Sequence, residues 1–326
     1  MITIKQVAKL AGVSSTTASY AMNNRPEVHP ETVKKVLKAA EELNYVPNSL
    51  ARSFRNKKAN SIGVITCENL TDNSVFAIEL MGIITEARQS NYDILIKSLQ
   101  GDPENHKRYI LSLLNSRRVD GIILLGNQFE EFIKHVISKE NKMILLSSHS
   151  KFDINEVNVD GEKWVYKITE YLINKGYDNL AYVSYGFVTM EEHLRRAGVE
   201  RAVKDYKKGL NVLACGYNKS DIYTNVKNLI ERSKPKAIVC WNDILAMQVI
   251  NVIKELDLRV PQDIAVTGFD DVLNNIYFTP PLTTVRQPFA EKGKKAFRTL
   301  LELIDGKEIK SEKILLDCEI VIRESA

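Results

Sequence analysis

Apolar residues recur at two different intervals along this chain, and the change falls near residue 60. Before it, Ile4, Val7, Ala8, Leu10 and Ala11 form one stripe, and Val33, Val36, Leu37, Ala40 and Leu43 form another. Positions three and four apart share a helix face, so both stretches predict amphipathic helices. Thr3 and Gln6 have the spacing of a capping box ahead of the first, and Gly12 breaks it. Ser14 caps a second helix running to about Asn23, and Pro30 occupies a first-turn position of the third. Pro47 is followed by a short helical pattern, NSLARSFR, which Asn56, Lys57 and Lys58 end after about two turns.

From Ser61 onward, short apolar runs alternate with stretches of helical period. SIGVIT, DILI, GIILLG, MILLS, LAYVSY, NVLACGY, AIVCWN and IAVTGFD read as strands buried on both faces. Between most of them lie helical segments, among them 104–116, 162–175, 191–207, 220–233 and 243–257. Such β–α alternation predicts an α/β fold of doubly wound parallel sheets, and this many strands calls for two of them. No GxGxxG or GxxxxGK[ST] follows a strand, so no nucleotide phosphate cradle is expected.

The charge changes at the same place as the pattern. Residues 1–60 carry ten Lys/Arg against four Glu, a net +6, whereas the remaining 266 residues net −2. A basic segment with ordered helices points to a polyanionic partner. Cys67, Cys215, Cys240 and Cys318 stand far apart without a C-x-x-C, which predicts reduced thiols rather than a disulfide frame or a zinc site. MITIKQVAK lacks the apolar core of a signal peptide, and no run approaches the roughly 18 apolar residues of a membrane span. A cytoplasmic protein without a membrane partner is expected.

The first two helices have the dimensions of a helix-turn-helix. Ala8 permits close approach, Gly12 sits at the turn, and Ala18 points inward from the second helix. That helix is expected to expose Ser15, Thr16, Ser19 and Tyr20. Hydroxyl side chains are poor helix-interior residues, because they compete for backbone partners. In a DNA major groove they serve as donors and acceptors for phosphates and base edges. The plainer reading is a structural three-helix bundle with a polar face, and the excess basic charge argues against it.

TIKQVAKLAGVSSTTASYAMNN and VHPETVKKVLKAAEELNYVPNSLARSFR resemble the DNA-binding domain and hinge of the LacI/GalR family of bacterial transcription regulators. The likeness continues in RRVDGIILL, VNVD, NDILAM, RVPQDIAVTGFDD and PPLTTVRQP, so it covers nearly the whole chain. The resemblance implies a helix-turn-helix domain at 1–46, a hinge at 47–60 and an effector-binding and dimerisation body at 61–326. That body would be periplasmic-binding-protein-like, with one subdomain at about 61–158 and 286–316 and another at about 161–283 and 319–326. Three crossovers near 158–161, 283–287 and 316–319 would join them.

By the same resemblance, Ser15, Thr16 and Tyr20 occupy base-reading positions, while Ser14, Thr17, Ser19 and Asn23 anchor phosphates or fix the helix. Three residues depart from the family pattern: Tyr20 for arginine or histidine, Ala18 for valine, and His29 for the serine before Pro30. His29 should cap more weakly. In the hinge, Leu50 and Ala51 would form the helix-to-helix contact. Phe54 stands where the family wedges a leucine into the minor groove, with Arg52 and Arg55 beside it.

Open α/β sheets bind ligands beyond the carboxyl ends of their strands. Trp241, Asn242 and Asp243 end one strand, Phe269, Asp270 and Asp271 another, Tyr217 a third, and Asp160 ends VNVD. The resemblance assigns Asn242, Asp270 and Arg195 to ligand hydroxyls or ring polar atoms and Tyr217 to stacking. Phe76 and Trp241 add apolar walls. Asp243 reads as a cap for the helix that follows, and Asp271 as a loop carboxylate. His106, His135 and His149 read as surface residues, and His193 lies near the cleft.

No nucleophile, metal cluster or catalytic triad appears in the pattern, so no enzyme and no cofactor are expected. The expected function is a transcriptional repressor of carbohydrate-use genes. It would bind double-stranded DNA at a near-palindromic operator as a homodimer and respond to a sugar or sugar derivative. A purine-type corepressor is the alternative within the family, and a sugar-binding protein without a regulatory role is the alternative outside it.

Overall fold

The computed structural model describes residues 2–23, 25–45, 58–67, 74–126, 133, 142–187, 189–272, 279–307 and 313–326. Its contacts divide into two compact units, 1–59 and 60–326.

The first unit is built from α1 (Ile4–Ala11), α2 (Ser15–Met22) and α3 (Pro30–Glu42). Its core consists of Val7, Ala8, Ala18, Ala21, Val36, Ala39 and Ala40. Five of those seven are alanines, so the helices meet at short range and the unit stays small. Gly12 takes the left-handed conformation at φ 68° that ends α1, and its N–H reaches back to that helix. The expected capping box is present at the start of α1, where the Thr3 N–H donates to Gln6 Oε1 at 2.8 Å. His29 is a weak cap, as its replacement of serine suggested: its Nδ1 accepts from the Glu31 N–H at a long 3.4 Å.

The second unit holds two parallel sheets. In the first, β1 (Ser61–Thr66), β2 (Asp93–Ser98), β3 (Gly121–Leu125), β4 (Met143–Leu146), β5 (Asn155–Val159) and β11 (Lys313–Leu316) take the order β11-β5-β4-β3-β1-β2. In the second, β6 (Asn179–Ser184), β7 (Gly209–Ala214), β8 (Ala237–Cys240) and β9 (Ala265–Thr267) take the order β7-β6-β8-β9. Every pairing within both sheets is parallel. A two-stranded antiparallel ribbon joins β10 (Thr284–Arg286) to β12 (Glu319–Val321).

Two of the predicted strands differ from expectation. DILI and NVLACGY fall on β2 and β7, which are sheet edges, and neither is buried on both faces. Ile96 is 42% and Val212 41% exposed. An edge strand has a neighbour on one side only, and an apolar run does not reveal which strands lie at the edge. β3 and β4, inside their sheet, are buried throughout.

The helices of this unit with described bounds are α4 (Ser74–Gln89), α5 (Pro103–Asn115), α6 (Gly161–Asn174), α7 (Met190–Asp205), α8 (Lys219–Ser233), α9 (Asp243–Glu255) and α10 (Phe289–Ile304). α4 and α10 cross in backbone contact. A Cβ on Gly82 would collide with the Ala290 carbonyl, and one on Gly293 with the Glu79 carbonyl. The chain passes between the two sheets after β5, before α10 and between β11 and β12. Among the described residues, no helix is long and apolar enough to cross a membrane.

Candidate functional site

On α2 the polar side chains separate into two groups. Ser15 and Thr16 are exposed, and Tyr20 is 44% exposed, so these three form an open face. Ser14 caps the helix: its Oγ accepts from the Thr17 N–H at 3.0 Å and lies 2.8 Å from Thr17 Oγ1. Asn23 Nδ2 donates to the Ser19 carbonyl at 2.6 Å and holds the last turn. Ser19 departs from expectation, because it is buried at 8% exposure. It follows Ala18 onto the side packed against the other helices, so the exposed hydroxyl face has three members rather than four. The hinge candidates Leu50, Ala51, Arg52, Phe54 and Arg55 lie outside the described residues, as does His135.

In the second unit, a cavity of about 650 Å³ opens where the carboxyl ends of both sheets face each other. Phe76, Arg195, Tyr217, Trp241, Asn242 and Asp270 all line it. Three strand ends (β7, β8 and β9) and two helices bring them together, which the parallel topology explains.

Arg195 is the arginine of the RRAG pair that turns inward. It is 8% exposed, and its guanidinium lies 4.0 Å from the Phe269 ring centre and 4.9 Å from that of Trp241. Its Nη1 donates to the Trp241 carbonyl at 2.6 Å, and Nη2 lies 3.6 Å from Asp270 Oδ1. Arg196 instead pairs with Glu200 at the surface. Asp270 adopts φ 120°, a conformation that non-glycine residues rarely take, and accepts from Gln287 Nε2 at 2.7 Å. Burial pushes its carboxyl above the ordinary range, against the pull of Arg195 and Gln287.

Trp241 joins an aromatic cluster with Tyr185, Phe187 and Tyr217, whose ring centres stand 5.3–5.9 Å apart. Tyr217 is 69% and Phe187 40% exposed, so this cluster presents open ring faces. The Trp241 indole N–H is buried and meets no hydrogen-bond acceptor among the described residues.

Asn242, not Asp243, caps α9: its Oδ1 accepts from the Leu245 N–H at 2.9 Å. With that oxygen committed, Asn242 has its amide N–H groups to offer a ligand. Asp243 is buried, where Thr284 Oγ1 and the Val272 N–H both donate to it. Asp271 is a loop carboxylate, as expected, but its side chain is shielded from solvent. It is buried between Arg286 at 2.7 Å and Arg323 at 2.9 Å, and so ties β10 to the C-terminal segment. Asp160 caps α6 through the Lys163 N–H.

Several lining residues escaped the sequence reading. Lys292 is almost fully buried and pairs with Glu79 at 2.8 Å. Its Nζ also donates to Ser147 Oγ and to Gln287 Oε1. Gln287 therefore links Lys292 on one side of the cavity to Asp270 on the other. Phe289, Lys292, Ala296 and Leu300 recur at helical spacing in α10, and a lysine within that apolar stripe is the signal the sequence carried. Two histidines were misplaced. His149 lines the cavity with Nδ1 3.3 Å from Glu156, and His106 is buried on α5. Both sit on inward turns that periodicity alone did not resolve. His193 is exposed and is not part of the lining.

With this geometry established, known proteins supply the context. Residues 3–48 match the model for bacterial regulatory proteins of the lacI family, and residues 169–326 that for a periplasmic binding protein-like domain. The chain is 33% identical to the HTH-type transcriptional repressor PurR of Aliivibrio fischeri, over 100% of this chain and 98% of that protein. It is 32% identical, at the same coverage, to the PurR repressor of Vibrio campbellii. A crystal structure of the Lac repressor dimer, bound to operator and the anti-inducer ONPF, superposes with a TM-score of 0.88. That match has 25% identity and covers 99% of this chain and 98% of that one. The chain belongs to the lacI family of bacterial regulatory proteins.

Proposed function

We propose that this protein is a repressor that binds a near-palindromic operator as a homodimer and is switched by a small ring-shaped effector in the 650 Å³ cavity. The observation that carries this reading is the convergence of the six effector candidates on one cavity, in a chain that also displays an open hydroxyl face on a helix-turn-helix. Ser15, Thr16 and Tyr20 would meet base edges, while Ser14, Thr17 and Asn23 hold the helix that presents them. Ser19 would serve that helix from inside. Two-fold symmetry would place one such helix in each half-site. From the sequence, Leu50, Ala51, Arg52, Phe54 and Arg55 form the hinge, with Phe54 as its minor-groove wedge. Such a protein works in the cytoplasm, where the operator is.

Two effector classes fit the cavity. Asp270, Arg195 and the donor side of Asn242 suit the hydroxyl groups of a sugar, with Tyr217 against its ring. A planar nitrogen heterocycle of purine type answers a further observation, the four aromatic rings with two open faces, which exceed what one sugar face covers. The heterocycle is therefore ranked first and the sugar second. Effector and operator would change each other's affinity by the same factor, whichever the sign.

A thermal-shift panel of nucleobases, nucleosides, sugars and sugar phosphates tests the effector. A ligand at a hundred times its dissociation constant adds about 2.7 kcal/mol of stability. Stabilisation by sugars alone would reverse the ranking. Failure to bind any palindromic DNA from the protein's own promoter region would remove the repressor reading.

A further inference from the structure

Cys67 follows β1 and lines the cavity, and its Sγ lies 3.4 Å from Nδ1 of His106, a buried residue of α5. Cys318 is half-buried like Cys67 but does not line the cavity, and the other two cysteines have a different setting. Cys215 and Cys240 are buried, and burial pushes the Cys215 thiol up to about 11 and Cys240 higher than its ordinary value. Burial likewise pushes Cys318 up to about 12. A thiol beside an imidazole can pass its proton to that ring, and the thiolate is the nucleophilic form. Cys67 also packs against the core of the first sheet, and access from the cavity together with an imidazole at hydrogen-bond distance adds the arrangement of a reactive cysteine.

We propose that the Cys67–His106 pair is a thiol-modification site opening on the cavity, where it takes the disulfide of a small thiol. The Cys67 proton moves to His106 Nδ1, and the thiolate attacks one sulfur of the incoming disulfide. A bond forms between Cys67 Sγ and that sulfur while the reagent's S–S bond breaks. The departing thiolate takes up the proton from His106. Cys67 is thereby oxidised to a mixed disulfide and half of the reagent is reduced to free thiol, so the step needs no other oxidant. The group left on Cys67 occupies cavity volume beside Phe76. This chemistry does not depend on which effector the cavity takes.

The test uses the full chain with dithiodipyridine, which releases a coloured thione, and peptide mass mapping to locate the adduct. Folded protein is expected to show one rapid equivalent on Cys67, faster than the same thiol in the guanidinium-unfolded chain. Cys67→Ser should abolish the rapid phase. His106→Asn and His106→Gln should slow it about a hundredfold, the lower range for a positioned proton acceptor. A folded-state rate below that of the unfolded chain overturns the proposal without any variant. So does a rapid phase that survives Cys67→Ser, or one unchanged in a folded His106 variant.

Discussion

The two walls of the cavity handle polarity in opposite ways. On the α4–α10 side, Lys292 and Ser147 both engage Glu79 Oε1, Glu79 Oε2 is buried without a partner among the described residues, and both charges are almost fully removed from water. On the other side, Tyr217 and Phe187 leave ring faces exposed, and the Trp241 N–H has no acceptor among the described residues. A buried ion pair that is already formed gains little from a ligand, whereas open aromatic faces gain by covering. The first wall therefore reads as framework and the second as recognition. Gln287 joins them, since it bonds Lys292 with one end of its amide and Asp270 with the other.

The contrast fails or holds first on stability. Lys292→Met would strand the Glu79 carboxylate in the interior and should cost about 3–5 kcal/mol in urea unfolding. Adding Glu79→Leu should recover most of that loss, because apolar replacement of a whole buried pair is often near neutral. If the single and double variants are equally unstable, the pair is not what holds this wall.

Asp270→Asn probes the recognition wall and should separate binding from stability. Effector affinity, read by calorimetry, should fall by about 2–5 kcal/mol, as when one partner of a buried charged contact is truncated. Stability should not fall with it. The folded carboxyl titrates above its ordinary value, so Asp270 favours the fold most below that value, and this contribution is lost as pH rises through the raised one. The asparagine variant should therefore hold or gain stability at neutral pH and show no gain in acid.

Tyr217→Ala should weaken the effector by about 0.5–1.5 kcal/mol while leaving the unfolding midpoint unchanged, since the ring is mostly exposed. The smallest effect belongs to the framework side. Arg298 hydrogen-bonds Glu86 at 2.6 and 2.9 Å and holds its carboxyl below the usual range. That pair stabilises the fold above the ordinary carboxylate pKa and loses its effect as pH falls through the depressed value. Glu86→Gln should thus lower the unfolding midpoint at pH 7 and leave it unchanged at strongly acid pH.

Much of the architecture was legible before any coordinates. Helical stripes, Gly12, Ser14 and Pro30 marked the three small helices, and the eight apolar runs marked eight of the twelve strands among the described residues. β5, β10, β11 and β12 lack such runs: NEVNV is half polar, and the others are short. The strand-end rule and the family resemblance named six residues that share one cavity. They did not find Lys292, Gln287 or His149, because each needs a partner distant in sequence before its polarity can be placed inside. The role of Asp243 and the ion pairs of Asp271 were missed for the same reason. Their partners Thr284, Arg286 and Arg323 come from segments that meet them through the antiparallel ribbon and the chain end.

Local order therefore came from the residues themselves. Periodicity, caps and turn glycines act over three or four positions and are written in adjacent letters. Burial of a charge is different, because water competes for it until a partner arrives from elsewhere in the chain. Whether Lys292 was a solvated helix lysine or the centre of a buried network rested on Glu79, Ser147 and Gln287 closing around it. Ser19, too, became a core residue only when α2 was seated against its neighbours.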